Sequence, residues 1–275
     1  MSQVITSAQN PQIKFLRSLK NARERRLAGV FTVEGEKLSG EVCPPFRVRT
    51  VVVAESLAER GAEPAVVKRY PEAERIVAAD RLFDSLCDTK TPQGVLAVVE
   101  YRRENVDEWL FSAEKQSKVP LVVALENLQD PGNVGTVIRT ADAVGASGVI
   151  VSGGSADPFS PKTLRASMGS AFHLPVSVES DFTGVVRRLS EANYQVAAAH
   201  LEGSRSLYDV DFTVPTVILI GNEGNGLSRE VTELAGCRLR IPQPGKAESL
   251  NAGVAAAVIM YEALRQRMGG SRKCI

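Results

Sequence analysis

The sequence predicts a two-domain α/β protein whose second domain is a mainly parallel sheet with helices on both faces. Its length of 275 residues exceeds that of one average domain. Short apolar runs such as 121–125 alternate with helix-forming segments, and this alternation is typical of a parallel sheet. A charged stretch separates the two halves. We therefore predict a first domain over 1–100, a linker over 101–119, a second domain over 120–268 and a tail over 269–275.

The first domain is predicted to be a small alternating α/β unit. The expected elements are a helical arm to about residue 28, strands at 30–33, 47–54, 75–78 and 94–99, and helices that start at 34 and 81. The domain contains no cluster of acids and bases and no glycine-rich phosphate loop. We interpret it as a recognition module rather than a reaction site.

The N-terminal arm carries a row of basic residues. Lys14, Arg17 and Lys20 recur every three residues, which on a helix gives a cationic strip. Such a strip suits a phosphate backbone, although a solvated helix face without a partner is the alternative. The net charge of only +1 excludes a uniformly basic nucleic-acid binder.

The second domain is predicted to alternate strands and helices along its whole length. The expected strands lie at 121–125, 148–151, 174–178, 194–199, 215–220 and 238–241, and the expected helices lie at 133–144, 161–171 and 182–192, after Ser228, and after 249. Ser249 is the expected N-cap of the last, alanine-rich helix. Ligands of such sheets bind beyond the carboxyl ends of the strands. Three loops at those ends are rich in Asn, Gly and Glu, and we expect the chemistry there.

The first of these loops, 126–135, opens a helix that carries Asn133 and Arg139. An arginine on a helix that starts at a ligand loop can bind a phosphate or a polarised hydroxyl. An ion pair with Asp142, three residues further on, is the alternative.

The second loop, 219–228, contains Gly221, Gly224 and Gly226, which indicate positive φ angles or a close approach to the backbone. Their spacing matches neither the dinucleotide-binding nor the Walker pattern. The third loop, 241–251, contains two prolines and Gly245 before the last helix.

The composition argues against a membrane protein, a secreted protein and a metalloprotein. No apolar run approaches the roughly 20 residues that span a bilayer, and the N-terminus lacks a signal pattern, so a cytoplasmic protein is expected. The few candidate ligands are Cys43, Cys87, Cys237, Cys274, His173 and His200. The cysteines form no C-x-x-C pair, so we expect reduced thiols and no metal site.

Taken together, the three loops resemble the motifs of the SpoU/TrmH family of RNA ribose 2′-O-methyltransferases, of the SPOUT superfamily. The matching residues, in order, are Asn133, Gly135 and Arg139, then Gly221, Asn222, Glu223 and Gly226, then Ile241, Pro242, Gly245, Ser249, Leu250 and Asn251. This resemblance covers about 120–265. The segments 9–11, 33–38 and 91–94 of the first domain resemble the substrate-binding domain common in the family, which is similar to a small ribosomal-protein fold.

The resemblance implies a deep trefoil knot, a homodimer through the C-terminal domain and S-adenosylmethionine as the methyl donor. It also implies structured RNA as the substrate, with ribosomal RNA preferred over tRNA because of the extra first domain. No metal and no membrane partner are implied. A non-catalytic RNA-binding relative is the first alternative. A nucleotide-dependent oxidoreductase is disfavoured because its fingerprint is absent.

The same resemblance assigns roles to individual residues. Arg139 activates the ribose hydroxyl and is expected to act across the dimer interface, while Asn133, Glu223, Ser249 and Asn251 shape the catalytic site. The donor pocket is expected to comprise Ala199, His200, Leu201, Ile220, Gly221, Asn222, Gly226, Ile241, Ser249 and Leu250. Lys162 and Arg165 are expected to meet RNA phosphates, with a solvated helix as the alternative.

Overall fold

The computed structural model describes residues 3–60, 63–101, 106, 108, 119–200 and 205–269. The chain forms two compact units, one of Met1–Arg102 with Phe159–Phe172 and one of Arg103–Pro158 with His173–Ile275. Leu201, most of the predicted linker and the predicted tail after residue 269 lie outside the described residues.

The first unit contains a five-stranded mixed sheet in the order β1-β4-β3-β5-β2. Its strands are β1 (Val4–Ile5), β2 (Val30–Glu34), β3 (Arg47–Ala54), β4 (Glu74–Ala78) and β5 (Val95–Glu100), and its first helices are α1 (Pro11–Ser18), α2 (Ala22–Ala28), α3 (Glu36–Gly40), α4 (Glu55–Ala58), α5 (Ala65–Arg69) and α6 (Asp80–Leu86). The N-terminal arm is helical as predicted, but it is not one continuous helix. Asn10 caps α1, and Asn21 caps a separate α2, so the arm is two short helices preceded by β1.

The second unit contains a seven-stranded sheet in the order β10-β12-β9-β11-β6-β7-β8. Its strands are β6 (Leu121–Leu125), β7 (Gly148–Ser152), β8 (Val176–Glu179), β9 (Gln195–Ala199), β10 (Arg205–Ser206), β11 (Thr216–Ile220) and β12 (Cys237–Arg240). The remaining helices are α7 (Pro131–Ala143), α8 (Pro161–Ser167), α9 (Phe182–Glu191), α10 (Arg229–Glu233) and α11 (Ala252–Arg267), of which α8 belongs to the first unit. All described strand pairs of this sheet are parallel, which confirms the predicted fold class.

Helices cover both faces of this parallel sheet. Every residue of β6, β7 and β11 is buried, as expected for strands without a solvent-facing side. Alternate side chains such as Val122 and Leu219 pack with α9 and α10 in one apolar cluster. The intervening residues, such as Val123 and Ile218, point to the other face, where α7 and α11 pack against each other.

The segment 159–172 packs into the first unit although it lies between two strands of the second. Phe31 stacks on Phe159 with 5.0 Å between ring centroids and on Phe172 with 6.2 Å, and Tyr101 stacks on Phe159 at 5.0 Å. The predicted helix over 161–171 ends early, because Met168 adopts a left-handed conformation with φ 52°. A short 3-10 helix, Ser170–Phe172, follows.

A half-buried arginine attaches the end of α11 to the rest of the second unit. The guanidinium of Arg267 donates to the carbonyl oxygens of Val119 at 2.7 Å, Phe212 at 2.8 Å, and Pro120 and Val214 at 3.0 Å each. Burial lowers the pKa of Arg267 from its ordinary value. We call this arrangement the Arg267 clasp.

Replacing Arg267 by methionine should lower the free energy of unfolding by about 3 kcal/mol, because the carbonyls of the clasp lose a charged donor. Urea denaturation of the full-length protein measures this loss. The control is Arg229→Met, since the Arg229 side chain is 92% exposed and its ion pair with Glu233 should contribute less than about 1 kcal/mol. Equal midpoints for the two variants would contradict the role of the clasp.

Within the described residues no helix combines the length and apolar character needed to cross a membrane.

Candidate functional site

A cleft of about 480 Å³ opens beyond the carboxyl ends of β9, β11 and β12. Its wall includes the predicted residues Ala199, His200, Ile220, Gly221, Asn222, Glu223, Gly226, Ile241, Ser249, Leu250 and Asn251. It also includes Gly224, Leu239, Arg240, Gln243, Glu248, Ala252 and Ala255, which sequence reasoning missed as site residues. The second and third loops singled out in the sequence thus line one cleft, whereas no residue of the first loop, Asn133 included, lines it, and neither does Arg139.

The loop after β11 folds back on itself. Asn222 and Gly226 exchange two backbone hydrogen bonds of 3.0 Å, and Gly226 has φ 67°. A methyl group on Gly221 would lie only 2.3 Å from the carbonyl carbon of Gly226, so no other residue fits there. The same requirement predicted for Gly224 was wrong: its φ is not positive, and a methyl group there would meet no atom closer than 3.6 Å.

Two side chains hold this loop in place, of which sequence reasoning assigned Asn222 to the donor pocket but gave Glu126 no role. The buried carboxylate of Glu126, at the end of β6, accepts a 2.7 Å hydrogen bond from the backbone N–H of Ser228, the N-cap of α10. The Asn222 side chain donates to the carbonyl of Asn127 at 2.8 Å and accepts from the N–H of Gly224 at 2.9 Å. The sequence did contain a signal for the role of Glu126, because this acid directly follows the fully apolar strand β6.

A chain of three polar side chains joins the three loops. The Asn133 Nδ2 donates to Glu223 Oε1 at 3.0 Å, and the Asn251 Nδ2 donates to Asn133 Oδ1 at 2.9 Å. Glu223 also accepts from the backbone N–H groups of Gln129 at 3.2 Å and Asp130 at 3.3 Å. Asn133 therefore connects two residues of the cleft wall without lining the cleft itself.

These contacts keep Glu223 ionised. Partial burial acts to raise the pKa of Glu223, but hydrogen bonds from the Asn133 side chain and from the backbone amides of Glu223, Gln129 and Asp130 act in the opposite direction and leave the pKa below its ordinary value. The wall of the cleft thus carries a fixed negative charge at neutral pH.

The start of α11 differs from the prediction. Asn251, not Ser249, caps the helix, since its Oδ1 accepts from the N–H groups of Gly253 at 2.9 Å and Val254 at 3.2 Å. Ser249 instead lies exposed in the cleft wall. Gly253 faces Thr136 of α7, where a methyl group would lie 3.3 Å from the threonine Cβ, so the small residue allows the two helices to pack closely.

Arg139 lies on the exposed side of α7, six residues and so about 9 Å along the helix axis from Asn133. The alternative ion pair with Asp142 is not formed, because Asp142 pairs with His173 at 2.9 Å. Within the described parts of the chain, Arg139 makes no hydrogen bond or ion pair. Its guanidinium is available to a partner.

The predicted RNA-binding residues all lie in the first unit. Ile13, Leu16 and Leu19 on the arm are buried, whereas Lys14, Arg17, Lys20 and Lys162 are exposed. Arg17 donates to Ser85 Oγ at 3.0 Å, and Lys20 donates to the carbonyl of Cys87 at 2.9 Å. Arg165 forms an ion pair with Asp88 at 2.6 Å.

The cleft contains one buried polar atom that suits a bound ligand. The Oε1 atom of Gln243 is buried and has no hydrogen-bond partner. A buried acceptor without a donor is costly, so a ligand with an N–H group would be stabilised there. No group of three or more His, Cys, Asp or Glu side chains in the described ranges could hold a metal ion.

Comparison with known proteins finds a matching family for each of the two parts of the chain. The profile of the SpoU rRNA Methylase family matches residues 120–261, and that of the MRM3-like substrate binding domain matches residues 10–97. The 23S rRNA (guanosine(2553)-2'-O)-methyltransferase RlmP of Bacillus subtilis is 32% identical over 258 residues, covering 94% of this chain and 97% of that protein.

A second relative is the 23S rRNA (uridine(2479)-2'-O)-methyltransferase of Streptomyces viridochromogenes, 36% identical over 92% of this chain and 88% of that protein. The crystal structure of the SpoU methyltransferase AviRb from Streptomyces viridochromogenes in complex with the cofactor AdoMet matches with a TM-score of 0.79 and 34% identity, covering 95% of this chain and 100% of that chain. The chain therefore belongs to the SpoU rRNA methylase family.

Proposed function

We propose that this protein transfers a methyl group from S-adenosylmethionine to a ribose 2′-hydroxyl of structured RNA in the cytoplasm, with ribosomal RNA as the substrate class. The observation that carries the proposal is the cleft itself: the second and third motif loops line it, and Asn133 of the first loop is hydrogen-bonded to its wall. The relatives named as 23S rRNA 2'-O-methyltransferases and the AdoMet complex of AviRb support both the substrate and the donor.

The cleft fits a donor that combines an adenosine with an amino-acid group. The backbone at Ala199, Gly221, Ile241 and Leu250 would hold it, and the unpartnered Oε1 of Gln243 would accept from one of its amino groups. When bound, S-adenosylmethionine supplies an electrophilic methyl group on a sulfonium. The protein then has to align the acceptor and exclude water.

Different side chains position the acceptor and stabilise its charge. The hydrogen bonds that link Asn133 to Glu223 and to Asn251 fix the three loops relative to one another, so the acceptor approaches a preorganised wall. Arg139 stabilises the ribose oxygen as it loses its proton and holds the adjacent phosphate. Its high pKa makes it a poor general base, so its contribution is electrostatic.

A homodimer brings Arg139 to the site. In a single chain Arg139 lies about 9 Å along α7 from Asn133, which is the residue of this helix that contacts the cleft wall. Val254 and Tyr261 on α11 and Met268 at its C-cap recur every seven residues and are 47%, 53% and 58% exposed, which is an apolar stripe suited to a second copy. We propose that this stripe forms the dimer interface and that Arg139 serves the partner's cleft.

The proposal includes the trefoil knot of the family in the second unit and an RNA-binding role for a first unit similar to a small ribosomal-protein fold. The AviRb match over 95% of the chain supports the former. The substrate-binding profile over residues 10–97 supports the latter.

Methyl transfer from labelled S-adenosylmethionine tests the proposal directly. Ribosomal RNA from cells that lack the gene should accept label at a single 2′-hydroxyl, and RNA from cells that express it should accept little. Transfer to tRNA alone would redirect the proposal to that substrate. Absence of donor binding by calorimetry would favour a non-catalytic RNA-binding relative.

Neutralising the basic arm by Lys14→Gln, Arg17→Gln and Lys20→Gln should weaken RNA binding and flatten its salt dependence. Glutamine retains hydrogen-bond donors for the contacts with Ser85 and Cys87. The slope of log K against log salt should become shallower by about 0.7–0.9 for every phosphate that the arm no longer neutralises. Filter binding at several salt concentrations measures the slope.

The matched control for the arm is Lys68→Gln with Arg69→Gln, which removes charge from exposed positions on α5. An unchanged slope in the arm variant would leave the solvated helix face as the explanation of the strip.

A further inference from the structure

The first unit contains a second cavity, of about 340 Å³, that the proposed methyl transfer does not use. It lies among α3, the segment 87–93 and α8. Leu38, Val95 and Met168 give it apolar walls, and Thr91, Gln93 and Arg165 contribute polar groups. The segments 33–38 and 91–94, which the sequence singled out, thus build a cavity with the character of a ligand site.

Arg165 presents an unused donor to this cavity. Its Nη2 pairs with Asp88 at 2.6 Å, whereas its Nη1 is buried and has no hydrogen-bond partner. Glu34 Oε2 lies 3.9 Å from Nη1, which is close enough for an ion pair but beyond hydrogen-bond distance. A buried guanidinium N–H without an acceptor is costly, so a ligand oxygen at this point is favoured.

Glu34 is not free to fill that role. Its carboxylate accepts from the backbone N–H groups of Asp88 at 2.5 Å and Thr89 at 3.2 Å, and from Thr89 Oγ1 at 3.0 Å. These bonds tie the carboxylate to the segment that forms one wall of the cavity. No described residue accepts a hydrogen bond from Arg165 Nη1, so this donor is available to a ligand.

Met168 is held in an unusual position at the cavity wall. It adopts φ 52°, a left-handed conformation rare for residues other than glycine, and it is 53% exposed. Backbone strain of this kind concentrates at ligand sites. A methionine thioether packs favourably against an aromatic ring.

We infer that this cavity binds one unpaired nucleobase of the RNA substrate. The ring packs between Met168 and the apolar wall, and a carbonyl oxygen of the base accepts from Arg165 Nη1. Uracil, cytosine and guanine carry such a carbonyl, and adenine does not. A base has to be unpaired to enter, which matches how proteins usually read RNA sequence. The exposed Lys37 at the rim offers a contact for the phosphate.

The inference rests on the proposed function only in taking RNA as the ligand, and a binding assay tests it apart from catalysis. Fluorescein-labelled eight-nucleotide oligouridylate and oligoadenylate are titrated with the full-length protein by anisotropy. Oligouridylate should bind about tenfold more tightly, because adenine leaves the buried donor unpaired.

Two variants should remove this preference. Arg165→Lys retains the charge facing Asp88 but lacks the planar second nitrogen, and Met168→Gly removes the wall while relieving the φ of 52°. Each should bring oligouridylate affinity down to that for oligoadenylate, and Met168→Gly should melt at or above the wild-type temperature. The control Lys68→Met removes a charge elsewhere in the unit and should lower both affinities equally and slightly.

Oligouridylate containing 4-thiouridine locates the base. Photo-crosslinks should fall on the peptides that contain Met168 or Thr91. Crosslinks confined to other peptides, equal affinity for the two oligonucleotides, or a uridine preference that survives both substitutions would overturn the inference. If the protein methylates ribosomal RNA and yet shows one of these results, the nucleobase site alone fails. If it binds no RNA at all, the proposed function fails with it.

Discussion

Replacing Arg139 by alanine should lower the rate of methyl transfer about a hundredfold to a thousandfold while donor binding persists. Removing one preorganised donor to a developing oxyanion typically has an effect of this size. Arg139 is exposed and makes no hydrogen bond or ion pair in the described ranges that the substitution would break. The donor cleft, which Arg139 does not line, should stay intact.

Single-turnover transfer and calorimetric titration with S-adenosylmethionine separate the two effects of Arg139→Ala. Arg139→Lys should recover only part of the rate, because lysine keeps the charge but not the two-pronged geometry. The exposed Arg229→Ala serves as the control and should retain the wild-type rate. Full activity in Arg139→Ala would remove this residue from the mechanism.

Replacing Gly221 by alanine should weaken donor binding by about tenfold to a hundredfold. The added methyl group would lie 2.3 Å from the carbonyl carbon of Gly226 and 2.4 Å from the backbone nitrogen of Leu227. Both are backbone atoms, so the loop itself has to move. That movement strains the paired backbone of Asn222 and Gly226, which forms the cleft wall.

Calorimetric titration with S-adenosylmethionine measures the loss in Gly221→Ala. The matched control is Gly236→Ala, because a methyl group there meets no atom within 4 Å and the φ of Gly236 is not positive. Thermal melting of both variants distinguishes a damaged cleft from a general loss of fold. Unchanged donor affinity in Gly221→Ala would contradict the placement of the donor in this cleft.

Mixing the two impaired variants, at a donor concentration too low to fill the Gly221→Ala cleft, tests the proposed action of Arg139 across the dimer. A heterodimer of an Arg139→Ala chain with a Gly221→Ala chain pairs one intact cleft with an Arg139 from the other chain. Activity should therefore return if Arg139 serves the partner's cleft. No such site exists in the heterodimer if Arg139 serves its own chain.

The parallel sheet and the convergence of three loops could be predicted from the sequence. The strands β6 and β11 are uninterrupted apolar runs, and the first and second loops follow them directly. The burial of these strands therefore indicates the edge of the sheet at which the site lies. The seven-residue spacing of apolar side chains on α11 is also present in the sequence, but only the structure shows that these side chains are exposed.

Other features depend on contacts between distant residues and could not be read from local patterns. Ser249 and Asn251 are both good capping residues, and only the packing of Gly253 against α7 selects the second. The membership of α8 in the first unit depends on the stacking of Phe159 and Phe172 on Phe31, more than a hundred residues earlier in the chain. The roles of Glu126 and Gln243 likewise depend on their contacts in the fold, which local sequence patterns do not reveal.

The Arg267 clasp sets an order of events during synthesis on the ribosome. Its hydrogen bond to Val119 joins residues 148 positions apart, and α11 is the last described helix of the second unit. The second unit therefore cannot close until α11 has been made, and its strands remain without that helix for most of translation. Long-range contacts of this kind slow folding and expose apolar edges in the meantime. Nascent chains that end before residue 267 should accordingly be the ones that chaperones hold.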